Sequence, residues 1–228
     1  MVALPAEAET LGGRKSRAGD SFEVAGGAVI VCGIGPRRAA AAAERLVARG
    51  ARALLSWGTA GGLSSALRCG DIMIPERVLT PDNHDGIAVD ADWRARTVKE
   101  LATRVPVSSG ALWSSREPVT AVEAKRVLSN QGMAAVDMES GAVASVANRN
   151  GLPFFAVKAI CDPAERALPA ALLGLMDADG TFRPRGLSGL LRGGIPAWRA
   201  AGALRADFAA ARQALKLAAE ALPVILHP

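Results

Sequence analysis

The 228-residue chain contains no tyrosine, only two histidines (His84 and His227) and three cysteines (Cys32, Cys69 and Cys161). So few histidines, with thiols far apart and no Cys-x-x-Cys pair, are a poor stock for a zinc site. An odd number of scattered cysteines fits a reduced compartment. Aromatics are scarce, five Phe and four Trp, fewer than a stacking platform for single-stranded nucleic acid would want. No nucleic-acid partner is expected. No unbroken apolar run approaches the roughly 18 residues that a membrane-spanning helix needs. The amino end, MVALPAEAETLGGRK, lacks an apolar stretch of signal-peptide length, so a cytoplasmic protein is expected.

What the chain has is a 50% apolar composition and a net charge of +5. That is too apolar for disorder and long enough to close its own core as one domain spanning residues 1–228. The positive charge is concentrated. From Thr181 to Lys216 there are six arginines (183, 185, 192, 199, 205 and 212) and Lys216 against Asp207 alone. A solvated helical face and an electrostatic contact with an anionic membrane surface are both open readings of that segment.

Strand-like and helix-like stretches alternate. Ala28–Cys32 reads as a buried strand, and Pro36 opens an alanine-rich helix that Gly50 can stop. Ala53–Trp57 reads as the next strand, and Asp71–Leu79 as another, interrupted at Pro75. Asp92–Arg104 has helical spacing and Val107–Trp113 is strand-like. Val122–Gln131 follows as a helix with Thr120 as its cap. A strand at Ala134–Val136 leads into a helix over Met138–Asn148, and Leu152–Ile160 is a strand. This order predicts an α/β domain of three layers, a parallel or mixed sheet with helices on both faces. After Pro163 no strand is expected. Leu168–Met176 reads as helix and Gly180–Gly194 as loop. From Pro196 a long helix carries one apolar stripe through Ala197, Ala201, Leu204, Phe208, Ala211, Leu215, Ala218 and Leu222. Residues 165–228 thus form a mostly helical, basic end.

Four segments carry chemistry. Gly33-Ile34-Gly35 follows a strand, but Arg38 occupies the third glycine position of a dinucleotide fingerprint. Ser56-Trp57-Gly58 also stands where that motif wants an acid, so a Rossmann cofactor site is disfavoured. The stretch 56–63, SWGTAGGL, reads as a glycine-rich turn or as a loop whose N–H groups approach a ligand. VDMESGA at 136–142 and VKAICDPA at 157–164 each put a carboxylate near the carboxyl end of a strand, where open α/β sheets place ligands.

In this order the four pieces resemble the nucleoside phosphorylase and nucleosidase superfamily, and within it the methylthioadenosine/S-adenosylhomocysteine nucleosidases. The likeness covers about Val2–Ala164. The remainder, with DPAERALPAALLGLMDADG and the basic end, is similar to the hopanoid-associated nucleoside phosphorylases. The resemblance implies a nucleoside phosphorylase-like fold and cleavage of the N-glycosidic bond of a 5′-substituted adenosine. For the hopanoid branch that substrate is adenosylhopane and the product adenine. It implies no metal and no organic cofactor, with phosphate or water as the co-substrate, and a homodimer or larger homo-oligomer. A lipid substrate would also bring the protein to the inner face of the membrane.

Residue by residue, Asp162 matches the acid that protonates the leaving purine, a task suited to a carboxyl of raised pKa. As sequence alone, Asp162-Pro163-Ala164-Glu165 reads equally as a helix cap. Glu139 matches the residue that accepts from the ribose hydroxyls, with Met138 beside it; its other reading is an acid in a helix's first turn. Glu7 falls where hydrolytic relatives keep the glutamate that activates water. Thr59, Ala60 and Gly61 match the loop beside purine and nucleophile, and Val119 matches a backbone reader of the adenine edge. Pro118 stands where an aromatic often stacks on the base, leaving Trp57 as a substitute. Lys158 and Cys161 replace an arginine and a serine. Ser56 stands in place of a phosphate-binding arginine, while Gly35, Arg37, Arg38 and Thr59 offer an alternative anion site. A simple methylthioadenosine or adenosylhomocysteine hydrolase and a non-catalytic adenosine sensor remain alternatives.

Overall fold

A computed structural model describes residues 1–12, 15–24, 26–168, 177–180 and 187–226, the side chains of 187–193 excepted. The elements in chain order are α1 (Pro5–Gly12), β1 (Ser21–Val24), β2 (Gly27–Ile30), α2 (Pro36–Ala48), β3 (Leu54–Gly62), β4 (Ile72–Met73), β5 (Arg77–Thr80) and β6 (Asn83–Ala88). Then come α3 (Ala91–Leu101), β7 (Val107–Ser108), β8 (Ala111–Ser114), α4 (Val122–Asn130), β9 (Met133–Asp137), α5 (Ser140–Arg149), β10 (Phe154–Asp162), α6 (Leu187–Ala219) and α7 (Leu222–Ile225).

Eight strands form one mixed sheet in the order β6-β5-β8-β9-β3-β10-β4-β7, with β1 and β2 as a separate hairpin. The central pair β3 and β10 is parallel and in register from Leu54 opposite Phe154 to Ala60 opposite Ile160. β10 is buried at eight of its nine residues, which is why FFAVKAI shows no polar alternation: both its faces are covered. The core is continuous, from Val29, Val31 and Leu46 through Leu54, Phe155 and Ile160 to Leu215 and Ala218. Residues 1–3 are tied in as well: Val2 bridges Val31, and the Trp57 amide donates to the Met1 carbonyl.

The α/β expectation and the mixed sheet hold. Several local expectations change. The strand read over Asp71–Leu79 divides at Pro75 into β4 and β5, which lie on opposite sides of the central pair. The strand read over Val107–Trp113 divides at Gly110, whose φ of 139° marks the break. β1, β6 and α1 carry too little hydrophobic periodicity to have been read. Thr120 is not a cap: Ala121 holds that position, and the Thr120 carbonyl accepts from the Leu168 amide. Residues 187–193, read as loop, are helical, and Gly194 (φ 60°) breaks α6 just before Pro196. The apolar stripe from Pro196 faces inward, with Ala211, Leu215 and Ala218 fully buried. The expected helix over Leu168–Met176 lies, after Leu168, outside the described residues.

Candidate active site

β3 is the axis of the site. The stretch read as a glycine loop is strand to Gly62, because Gly58–Gly61 pair with β10 and Gly61–Gly62 also pair with β9 on the other side. The glycines are needed for closeness rather than for a turn. A methyl group on Gly61 would stand 3.3 Å from Val136, and one on Gly58 would stand 2.7 Å from the Glu7 carboxylate. At Gly58 the φ of 154° adds a backbone conformation that other residues rarely adopt.

The register orders three carboxylates along this strand. Asp162 ends β10 opposite Gly61. Glu7, on α1, contacts Thr59 at Oε1 through both its amide (2.7 Å) and its hydroxyl (2.8 Å). β9 runs antiparallel to β3 with Val136 opposite Gly61, so the chain beyond it, leading to Glu139, runs back toward the amino end of β3. All three are desolvated, with 5%, 2% and 7% exposure for Asp162, Glu7 and Glu139. They share a cavity of about 220 Å³ with Thr59, Ala60, Gly61, Val119, Met138 and Cys161. Thus the eight residues expected from the sequence to be catalytic or substrate-binding come together, with Cys161 beside them.

Each carboxylate has its own surroundings. Glu7 Oε2 accepts from the amides of Ala3 (3.1 Å) and Leu4 (3.0 Å). With the two donors of Thr59, four N–H and O–H groups converge on an acceptor-only carboxylate. Glu139 Oε1 accepts from the Gly35 amide at 2.8 Å. Burial, reinforced by the nearby Asp137 charge, pushes its pKa up to about 7, with Lys158 and the Gly35 amide opposing. Asp162 Oδ2 accepts from the buried Lys125 ammonium at 2.5 Å, while Oδ1 has no protein partner. Burial raises the Asp162 pKa, and Lys125 opposes that rise. No helix begins in residues 163–168, so Asp162 is not the helix cap that its Asp-Pro-Ala-Glu setting also allowed.

Behind the cavity lies an ionic anchor. Lys158 Nζ is 2.9 Å from Asp137 Oδ2 with both side chains buried. The same Oδ2 accepts from Ser140 Oγ (2.5 Å), which in turn meets Ser56 Oγ at 2.9 Å. Ser56 is therefore a buried structural residue. Trp57 does not stack on a base: it is 1% exposed, and its indole N–H donates to Thr10 Oγ1 at 3.0 Å. Cys161 lines the cavity, and burial pushes its thiol up to about 12, so it is protonated at neutral pH.

The proposed anion group stands apart. The Gly35 amide is spent on Glu139. Arg37 and Arg38 are exposed, and Arg38 pairs with Asp179. These three residues line a second cleft of about 1110 Å³. It adjoins the smaller cavity, and the two share Ile34, Ser115, Pro118, Met138 and Leu168.

The central parallel pair of the mixed sheet thus carries three buried carboxylates in one cavity. The Phosphorylase superfamily profile matches residues 21–179, and the chain belongs to that family. Among solved structures, the chain is similar to the 5′-methylthioadenosine/S-adenosylhomocysteine nucleosidase of Neisseria meningitidis, crystallised with methylthio-immucillin-A. Identity is 20% and the TM-score 0.71, over 97% of this chain and 96% of that one. Futalosine hydrolase of Helicobacter pylori matches at 17% identity and a TM-score of 0.67, over 98% and 94%. The H. pylori 5′-methylthioadenosine/S-adenosylhomocysteine nucleosidase matches at 16% and 0.68, over 98% and 94%. No curated protein matches the sequence.

Lys125, Lys158 with Asp137, and Thr10 were missed as parts of the site's frame. Lys125 had a signal: it occupies the middle of the Val122, Lys125, Leu128 stripe of α4, where an apolar residue would be expected.

Proposed function

We propose that the protein hydrolyses the N-glycosidic bond of a 5′-substituted adenosine and releases adenine. The observation that carries this reading is the order of Glu139, Glu7 and Asp162 alongside β3 in one cavity. Glu139 accepts from the ribose hydroxyls. Asp162 protonates the departing purine through Oδ1, and Val119 lies alongside the base. Glu7 takes the proton from the attacking water. Three of its four donors are fixed backbone amides, whereas the Thr59 hydroxyl rotates and can surrender its lone-pair site to that water. As the glycosidic bond breaks, its electron pair stays with the base, and water oxygen supplies the new bond to C1′.

Water is favoured over phosphate because none of the described residues lining the cavity is basic. A phosphate dianion 4 Å from even one of these carboxylates meets repulsion of about 4 kcal/mol per unit-charge pair at an effective dielectric near 20.

The adjoining cleft supports a bulky 5′ group. Glu139 takes its N–H from Gly35, a wall residue of that cleft, so a ribose held by Glu139 turns its 5′ carbon toward it. A methylthio group would leave most of about 1110 Å³ empty, whereas the triterpenoid of adenosylhopane is of the right scale. A lipid substrate also accounts for Ile195 and Trp198, 70% and 49% exposed beside exposed Arg199. That group suits peripheral contact with an anionic bilayer; absence of sedimentation with anionic vesicles at low salt would remove this part.

The test is incubation with a 5′-alkylated adenosine, with and without phosphate, followed by identification of both products. Adenine plus a reducing sugar, indifferent to phosphate, is expected. A sugar 1-phosphate formed only with phosphate would overturn the choice of water. Asp162→Asn should lower kcat by about 10²–10⁴, and near wild-type turnover would remove Asp162 from the acid role.

A further inference from the structure

Among the described residues Lys125 is the buried cation that touches the acid, and its three donors each find an acceptor. Its Nζ lies 2.5 Å from Asp162 Oδ2, 2.9 Å from the Pro163 carbonyl and 2.8 Å from the Arg166 carbonyl. Three acceptors match the three protons of a charged ammonium; a neutral amine would leave one acceptor without a donor. The side chain is 1% exposed. Removing a charge this deep from water is costly, so the amine is held there by what it binds.

Two consequences follow for Asp162. Its carboxyl is fixed in rotation, since Oδ2 is pinned toward α4 and to the turn that follows β10. Its Oδ1 is then the only carboxyl oxygen left free, buried and without a partner at the wall of the nucleoside cavity. We propose that Lys125 is the positioning residue of the acid step, selecting Oδ1 of Asp162 as the oxygen that carries the proton to the leaving base. This inference rests on the nucleosidase reading above.

The electrostatics serve the same step. When the C1′–N bond breaks, its electron pair goes to the base, the proton moves from Oδ1 to the base, and a carboxylate remains. Lys125 stabilises that carboxylate as it forms, in a desolvated site where a fixed charge counts for more than in water. Burial alone would make Asp162 too weak an acid; Lys125 offsets part of that. The other groups around Asp162 are Arg166 on the same turn, Asp207 on α6, Cys69 and Cys161. Of the two cations, Lys125 is the buried one in direct contact, whereas Arg166 is paired with Asp207 and partly exposed.

The experiment compares two leaving groups on wild type, Asp162→Asn, Lys125→Met, Lys125→Gln and Lys125→Arg, each first checked by its melting curve. One probe is a 5′-alkylthioadenosine, whose adenine needs a proton to leave. The other is 4-nitrophenyl β-D-ribofuranoside, whose leaving group does not. Lys125→Met should lose about 10²-fold in kcat on the first and less than about threefold on the second, the pattern expected of Asp162→Asn. The basic limb of its pH profile should move upward by about one unit, because the acid keeps its proton longer without the cation. Lys125→Arg should recover part of the loss. Equal losses on both probes, or an unmoved basic limb, would overturn the proposal. So would failure of all three Lys125 variants to fold, which would make the residue a structural clamp. A wild type idle on both probes would instead remove the nucleosidase reading, and this inference with it.

Discussion

Glu139 illustrates how one side chain couples recognition to pH. In the proposed role its carboxyl must be ionised to accept from two ribose hydroxyls, yet burial and Asp137 raise its pKa to about 7. The KM for the nucleoside should therefore climb as pH falls below about 7, and Glu139→Gln should bind weakly with a flatter dependence. Stability has a definite sign as well. Between the ordinary value of 4.5 and about 7 the folded chain holds a proton that the unfolded chain has released. This group's contribution is thus full below about 4.5 and is lost as pH rises through 7. Melting temperatures of wild type and Glu139→Gln across that interval should converge at the acid end. A gap that widens toward acid would contradict the assignment. Asp162 and Glu139 were legible because they lie at or just past the carboxyl end of a strand, and Thr59 because it stands in a glycine-rich stretch; their roles came from the resemblance to the nucleosidases. Lys125 was passed over despite its place in the apolar stripe of α4, since a lysine on a helix ordinarily reads as a solvated one. Trp57 was misjudged because sequence does not reveal on which face of a strand a side chain emerges.

At the scale of elements, β3 is the strand to perturb. Its partner strands β9 and β10 are joined across it by the Asp137–Lys158 pair, at the point where Lys158 stands opposite Gly58. Lys158→Met should destabilise the fold by about 3–5 kcal/mol, because it leaves Asp137 charged, buried and unpaired. Denaturant melts would measure this, and a loss below about 1 kcal/mol would mean that water reaches Asp137. Gly58→Ala tests the closeness of α1 to the strand. The added methyl collides with the Glu7 carboxylate, so turnover should fall by at least tenfold while Glu139-dependent binding persists. Unchanged kcat would show that α1 can retreat without cost. The strand core of β3 and β10 was readable from apolar runs. The continuation of β3 through GTAGG was not, since glycine carries no hydrophobic signal and its pairing partners are about a hundred residues away.

At the scale of the whole molecule, the proposed function divides chemistry and selectivity between two cavities that share a rim of five residues. Filling the larger one should change what is bound without changing how the bond breaks. Ser145 lines only the larger cleft. Ser145→Phe is expected to raise KM at least tenfold for a long 5′-alkyl adenosine while leaving 5′-methylthioadenosine within about twofold. Equal effects on both would place the 5′ group elsewhere. The overall architecture was open to prediction because strand–helix alternation is a long-range pattern. The existence of a second compartment was not, because its walls come from loops, strand ends and helices scattered between Ile34 and Leu204.

That division has a historical consequence. Substitutions in the outer cleft away from Gly35 and the shared rim do not meet the carboxylates alongside β3, so new substrates can be acquired by drift at those walls while the reaction is inherited intact. A lineage built this way diversifies by changing its guests and keeping its chemistry.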